Sequence, residues 1–390
     1  MQRYRMLDLL RALAAALVLL SHVTFWTGAG DVDVSGPLLA RGDAGVAVFF
    51  AISAFLLLRP YVRAGLQQTA TPGLRRYAIR RAARILPAYW LALTAVLLVA
   101  GLAPGRTGGL GSGLDVVLHI VLLQGYSGHA YQSFSQTWSL TTEVTFYAFV
   151  PAIGWVIGTV ARNARNGWVL LAAIAGVGVA TQAGSSAWTR ADPQSISGVL
   201  ATSVLGHAAW FAAGAALAVL AEFDRASGIA SPTRHRWIVF ARGNPGVVFL
   251  ASGLLYLLAS TPLAGPVDLQ APSVAQSVVK EVLYTLIAGL LVLAATSPVR
   301  GVLARAAAGS PAARWLGDAS YPVFLWHVLV LQVLYLLTGR ALFSGGFTWT
   351  LIATTVISVM VARVSVTLLE RPALTLAHRW TRDAAPADIP

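Results

Sequence analysis

The stretch LDLLRALAAALVLLSHVTFW, Leu7–Trp26, is apolar enough to cross a bilayer, yet it carries Asp8, Arg11 and His22. A hydrocarbon core about 30 Å thick needs roughly 20 residues of helix to span it, so the run reads as a transmembrane helix. Ionisable groups inside such a helix cost a few kcal/mol each and normally face the bundle interior or a water-filled cavity. Arg11 and His22 are eleven residues apart; at about 100° per residue that is three turns plus roughly 20°, which puts them on one face. Their backbones stand about 16 Å apart at 1.5 Å per residue. Asp8 lies one turn before Arg11 and is placed to pair with it. Two readings follow: an Asp–Arg pair with a separate histidine bonded to a carbonyl, or a stripe facing a cavity. The stripe would supply a cation for an anionic ligand and an imidazole able to take a proton near neutral pH.

The same kind of run recurs to the end of the 390 residues, of which 57% are hydrophobic and 11% charged. An ordinary soluble domain has about a quarter of its residues charged. The expected fold is therefore an all-α, polytopic membrane bundle, because helices satisfy their own backbone and the runs lack the alternation of barrel strands. Ten spans are readable, at about 6–27, 40–62, 79–102, 136–160, 167–185, 197–221, 244–263, 275–297, 319–338 and 347–370. The piece DVVLHIVLLQGY, 115–126, is too short to cross comfortably. With it held in or on the membrane without crossing, and the N-terminus cytoplasmic, 21 of the 28 basic residues fall in inner segments. Only Arg41, Arg106, Arg190 and Arg340 fall outside, and making 115–126 a span would destroy that asymmetry. Both termini are thus expected in the cytoplasm of a multi-pass membrane protein. The first run is expected to stay as a span rather than act as a signal peptide, since it is long, contains Arg11 and His22, and no small-x-small cleavage site follows it. Residues 1–375 are expected to form one membrane domain and 376–390, ending DAAPADIP, a disordered cytoplasmic tail.

The net charge of +13 is distributed at the ends of apolar runs rather than on one patch or arm, which fits topology and gives no reason to expect nucleic acid. With no cysteine, a disulfide framework, thiolate metal ligands and a cysteine nucleophile are excluded. No HxxH or HExxH pair occurs within one element, so no metal is expected. The densest basic cluster is RRYAIRRAAR, 75–84. It suits an interfacial helix held by anionic lipid headgroups; equally, Arg80, Arg81 and Arg84 could receive a phosphate-bearing ligand at the mouth of the bundle. In QTWSLTTEVTFYAFVP, 136–151, Ser139, Glu143 and Tyr147 are spaced four apart, flanking a carboxylate with hydroxyls, and Trp138 sits at the interface. A buried carboxylate there is a candidate for orienting His22. In LGDASYPVFLWHVLVL, 316–331, His327 follows Tyr321 by six. His207, alone in SVLGHAAWFAAG, reads as a packing residue.

Six blocks in order resemble the bacterial membrane acyltransferase-3 family. LDLLRALAAALVLLSH is similar to the family's opening LDGLRAlAallVvlfH, with an arginine, ten residues, then a histidine, here Arg11 and His22. GVAVFFAISAFLLLRPY, 45–61, resembles GVdlFFvlSGFLi, and RRAARILPAYWLAL, 80–93, resembles the R-x-x-R block, its pair falling on Arg81 and Arg84. The Trp138–Ser139 block resembles WSLxvExqFYlllP with Glu143 in the acidic position; the His327 block resembles lGriSYslYLwHwpv; and TLLERPA, 367–373, resembles lIErP. Two positions depart: Ala47 stands where many members have Asp, and Ala54 replaces the glycine after Ser53, where it tightens helix packing. The hydrolase-like extracytoplasmic domain of some members has no counterpart, so a stand-alone enzyme is expected.

The resemblance implies transfer of an acyl group, most often acetyl, from acyl-CoA (acetyl-CoA) as co-substrate to a hydroxyl of a carbohydrate, glycolipid or macrolide-type acceptor. On that reading Arg81 and Arg84, with Arg11, hold the donor from the cytoplasmic side. His22 is then general base or is transiently acylated, and Glu143 orients or polarises the site. Asp8, Ser53, Trp138, Ser139, Tyr321 and His327 are expected to support it. The reading from another class is a transporter, with the intramembrane His, Glu and Arg as a proton or substrate pathway; a third is a non-catalytic assembly partner.

Overall fold

The computed structural model describes residues 4–32, 35–128, 130–227, 236–297 and 309–382. Arg3, Arg234, Arg300 and Arg305 of the arginine-rich side and the end of the tail, 383–390, lie outside them. Among the described residues there are helices and turns but no strand, and eight helices are long and apolar enough to cross a membrane. The principal helices are α1 (Arg5–Thr27), α2 (Ala44–Gln67), α3 (Leu74–Leu102), α4 (Gly113–Ile120), α5 (Trp138–Val160), α6 (Ala164–Ala191), α7 (Ala208–Ser227), α8 (Pro245–Ala259), α9 (Val274–Thr296), α10 (Pro311–Thr338), α11 (Phe347–Ser365) and α12 (Arg371–Arg382).

All ten expected spans fall on helices. Two differ in extent. The 244–263 run is helical only over the fifteen residues of α8, about 22 Å at 1.5 Å per residue, less than the hydrocarbon thickness. The 197–221 run breaks after a short helix, Ser197–Thr202, and resumes as α7. The piece 115–126 does not span: α4 is eight residues long and ends in turns. Tyr89 donates to His119 O at 2.7 Å and Trp90 to Ile120 O at 3.0 Å, so the segment lies against the middle of α3 and turns back there. Its Leu114, Val117 and Val121 remain outward and exposed. Helix α12 runs to Arg382, past the boundary at 375 expected for a tail.

Helix α2 is the axle of the bundle, packed by α1, α5, α7 and α9. It can be buried all round because it is apolar all round, with small residues at its contacts. Ala47 is wholly buried there, filling core where an acidic side chain would need a partner. Ala54 meets Gly214 of α7, and a Cβ on Gly214 would run into Ala51 O and Ala54 Cβ. The extra methyl of Ala54 is thus accommodated by a glycine opposite. Helices α1 and α10 approach equally closely, since a Cβ on Gly317 would lie 2.5 Å from Asp8 Cβ.

Most intramembrane charges lock helices together. Glu222 of α7 receives Arg59 at 2.7 Å and Arg63 at 2.8 Å from α2. Asp43 receives Lys280 at 2.7 Å and the Tyr284 hydroxyl from α9. His207 bonds Glu281 at 3.2 Å and stacks on Trp210 at 3.7 Å, the packing role its isolated position indicated. These pairs sort into two ends. Arg59, Arg63 and Arg162, which donates to Gly65 O, share one with the start of α3. Arg41, bonded to Gly265 O, and Arg106, bonded to Tyr335 O and Leu336 O, mark the other.

Candidate active site

A partly open cavity enters from the arginine-rich end between α1, α2, α3, α5 and α10. Arg11 of α1 and Arg81 and Arg84 of α3 line it, as do Ser53, Ser139, Glu143 and Tyr321. The local reason for the arginine pair is spacing: residues three apart on α3 lie on one face. Arg11 keeps a loose contact with Asp8 at 3.8 Å, whereas among the described residues no carboxylate lies within ion-pair distance of Arg81 or Arg84. Three guanidiniums facing one space, against the loosely held Asp8 and the one carboxylate of Glu143 in the same wall, leave an excess of positive charge suited to a polyanion. The remaining wall is apolar, built by Phe49, Leu56, Leu57 and Phe324.

Glu143 sits in this wall. It accepts from the Ser53 hydroxyl of α2 and from Tyr147 at 2.5 Å, and the guanidinium of Arg81 lies 5.8 Å over the Tyr147 ring. Ser139, although one turn before Glu143, donates instead to Gln136 O at 3.0 Å. Tyr321 donates to Ile85 O at 3.1 Å. Trp138 is not in the cavity; its ring packs 5.5 Å from His207.

His22 is not in the cavity either, and Glu143 does not bond it. Its partner is His327 of α10, whose Nε2 lies 3.2 Å from His22 Nδ1. The partners assign the tautomers. His327 Nδ1 stands 2.7 Å from Phe324 O and 3.2 Å from Val323 O, so it must donate, leaving Nε2 as an acceptor. His22 Nδ1, 2.9 Å from Val18 O and 3.2 Å from His327 Nε2, then carries its own proton. The Nε2 of His22 is left with its lone pair and no hydrogen-bond partner among the described residues. A neutral imidazole held this way can take a proton, and His327 Nε2 can stabilise the resulting imidazolium.

Phe324 separates the two regions. Its ring is 5.9 Å from Phe49 on the cavity wall and 6.0 Å from the His327 ring, and its carbonyl holds His327. Phe324 and Phe49 carried no signal beyond hydrophobicity. Glu370 is a further buried carboxylate near Arg84. It ends a π-helical turn, Val366–Glu370, a distortion that often marks functional sites. There it is buried with Oε2 unpartnered, within the electrostatic reach of Arg84. No cluster of three His, Cys, Asp or Glu able to hold a metal occurs among the described residues.

Against known families, the model of the acyltransferase-3 family, described as "Acyltransferase domain", matches residues 4–363. The chain belongs to this family. It is therefore a multi-pass membrane acyltransferase using an acyl donor as co-substrate, which separates it from the transporter reading of the same charges. It is similar to Nodulation protein 10 of Rhizobium leguminosarum bv. viciae, at 26% identity over 95% of this chain and 93% of the relative. It is also similar to the Exopolysaccharide production protein ExoZ of Rhizobium meliloti (strain 1021), at 28% identity over 88% and 92%. No solved structure matches.

Proposed function

We propose that this acyltransferase-3 protein moves an acyl group, acetyl in the simplest case, from acyl-CoA entering at the cytoplasmic end to a hydroxyl of a carbohydrate acceptor of the cell envelope. Its place is the bacterial plasma membrane. The observation that carries the reading is the cavity in which Arg11, Arg81 and Arg84 converge, with Arg81 and Arg84 in no ion pair among the described residues, before an apolar throat. The donor fits that set: clustered arginines suit its phosphates, and Phe49, Leu56, Leu57 and Phe324 suit its uncharged arm. The carbohydrate class is supported by the relative whose name places it in exopolysaccharide production.

In the transfer, His22 Nε2 takes the proton of the acceptor hydroxyl as that oxygen attacks the thioester carbonyl. The carbon–sulfur bond breaks, and the thiolate leaves and is protonated. His327 fixes the His22 tautomer and shares the charge that His22 acquires. Glu143, tied to Ser53 and Tyr147, serves the cavity wall and balances the arginines, and Asp8 sets Arg11. The test is mass spectrometry of surface saccharides from cells with and without the gene. The reading predicts one added acyl mass per modified unit, lost on deletion and restored by the wild-type protein but not by His22→Ala. Identical saccharides with and without the gene, or full restoration by His22→Ala, would overturn it.

A further inference from the structure

On the far side of the histidine pair from the arginines, a second pocket opens between α1, α10 and the 132 turn. Its lining includes Trp26, Arg106, Gln132, Gln332, Tyr335 and Arg340. Trp26 follows His22 by four residues and Gln332 follows His327 by five, so the pocket lies about 6–8 Å farther along both helices, at 1.5 Å per residue. Trp26 and Tyr335 form its aromatic floor, with ring centres 5.1 Å apart and the Tyr335 hydroxyl donating to Trp26 O at 3.1 Å. Arg106 clamps the rim by donating to Tyr335 O and Leu336 O at 3.0 Å, carbonyls that the end of α10 leaves free.

Gln332 is the group this arrangement leaves unexplained. It is only 4% exposed, and its Oε1 is enclosed with no hydrogen-bond partner among the described residues. A buried carbonyl without a donor is costly, so such groups are rare unless a ligand or function answers them. The Gln332 Nε2, which is not enclosed in this way and has no partner among the described residues, is the atom that a ligand hydroxyl can meet from the pocket. An aromatic floor, amides in the wall and a basic rim are together the chemistry of a saccharide site, where ring C–H groups lie on aromatics and hydroxyls meet amides.

We propose that this pocket is the acceptor subsite, in which the Gln332 amide hydrogen-bonds a saccharide hydroxyl and Trp26 supports the sugar ring beside His22. The inference rests on the acyltransferase reading above and adds to it where the acceptor sits. Donor and acceptor then approach the histidine pair from opposite ends.

The test uses purified protein in nanodiscs, acetyl-CoA, and the surface polysaccharide isolated from cells lacking the gene. Gln332→Leu keeps the side-chain volume and removes the unpaired carbonyl, so a merely structural role predicts an unchanged or raised melting temperature and unchanged kinetics. The subsite predicts a KM for the polysaccharide raised roughly ten-fold with the KM for acetyl-CoA unchanged, and partial recovery in Gln332→Asn. Ser358→Ala, which removes a buried hydroxyl that has no partner among the described residues and does not line the pocket, should leave both KM values as in wild type. A wild-type polysaccharide KM in Gln332→Leu, or equal rises in both KM values, would overturn the subsite while leaving the acyltransferase reading intact. Absence of any transfer by the wild-type protein to that polysaccharide would overturn the carbohydrate reading itself, and the subsite with it.

Discussion

Arg11 and His22 occupy the same face of α1, about three turns apart, yet their surroundings have little in common. Arg11 looks into an open cavity with two more guanidiniums and a carboxylate held by hydroxyls. His22 stands in a packed seam with one imidazole and a backbone carbonyl, its neighbours Leu19, Val23 and Val328 buried. The difference has a physical use. A polyanion beside an imidazole stabilises the imidazolium and so removes the base, whereas about 16 Å of helix and the Phe324 ring keep the two apart. One helix thus holds an anion at one end and handles a proton farther along.

The comparison is broken most severely at the base. His22→Asn should lower transfer about 10³-fold, the range typical of a general base, with wild-type folding by gel filtration. Next comes its partner: His327→Ala should reduce kcat by roughly 10²-fold through loss of the fixed tautomer, with the donor KM unchanged. His327→Gln should recover part of that loss, because an amide oxygen can accept from His22 Nδ1. At the other end, Arg81→Ala and Arg84→Ala should each raise the donor KM by about ten-fold, as expected for a lost charge-assisted hydrogen bond, with little change in kcat. That rise should shrink in high salt, measured by steady-state kinetics at two ionic strengths. The smallest effect sharpens the divide between the regions: Phe324→Leu should raise acceptor-independent hydrolysis of acetyl-CoA by about two- to five-fold, read as thiol release, because water then reaches the throat more easily.

Much of the bundle was legible because bilayer thickness leaves few options: apolar runs of about twenty residues bounded by arginines are readable one at a time. Segment 115–126 was correctly excluded as a span by charge asymmetry, but its packing against α3 depends on Tyr89 and Trp90, which one segment cannot reveal. The cavity arginines were legible because Arg81 and Arg84 share a helix face. Glu143 shows where same-helix spacing misleads. Ser139 is four residues away, but a helical serine readily bonds its own preceding turn, and the hydroxyl that reaches Glu143 comes from Ser53 on another helix. The His22–His327 pair joins residues 305 apart, and no periodicity reports such a contact. It replaces Glu143 as the group beside His22.

The central claim is that donor holding and proton handling are separate along α1, and donor binding tests it most directly. Acetyl-CoA is titrated calorimetrically into the wild-type protein in nanodiscs, into His22→Ala and into Arg81→Ala/Arg84→Ala. The account predicts a wild-type Kd for His22→Ala and a Kd weakened by at least about ten-fold for the arginine variant. Equal weakening in both, or undiminished binding without the two arginines, would contradict it.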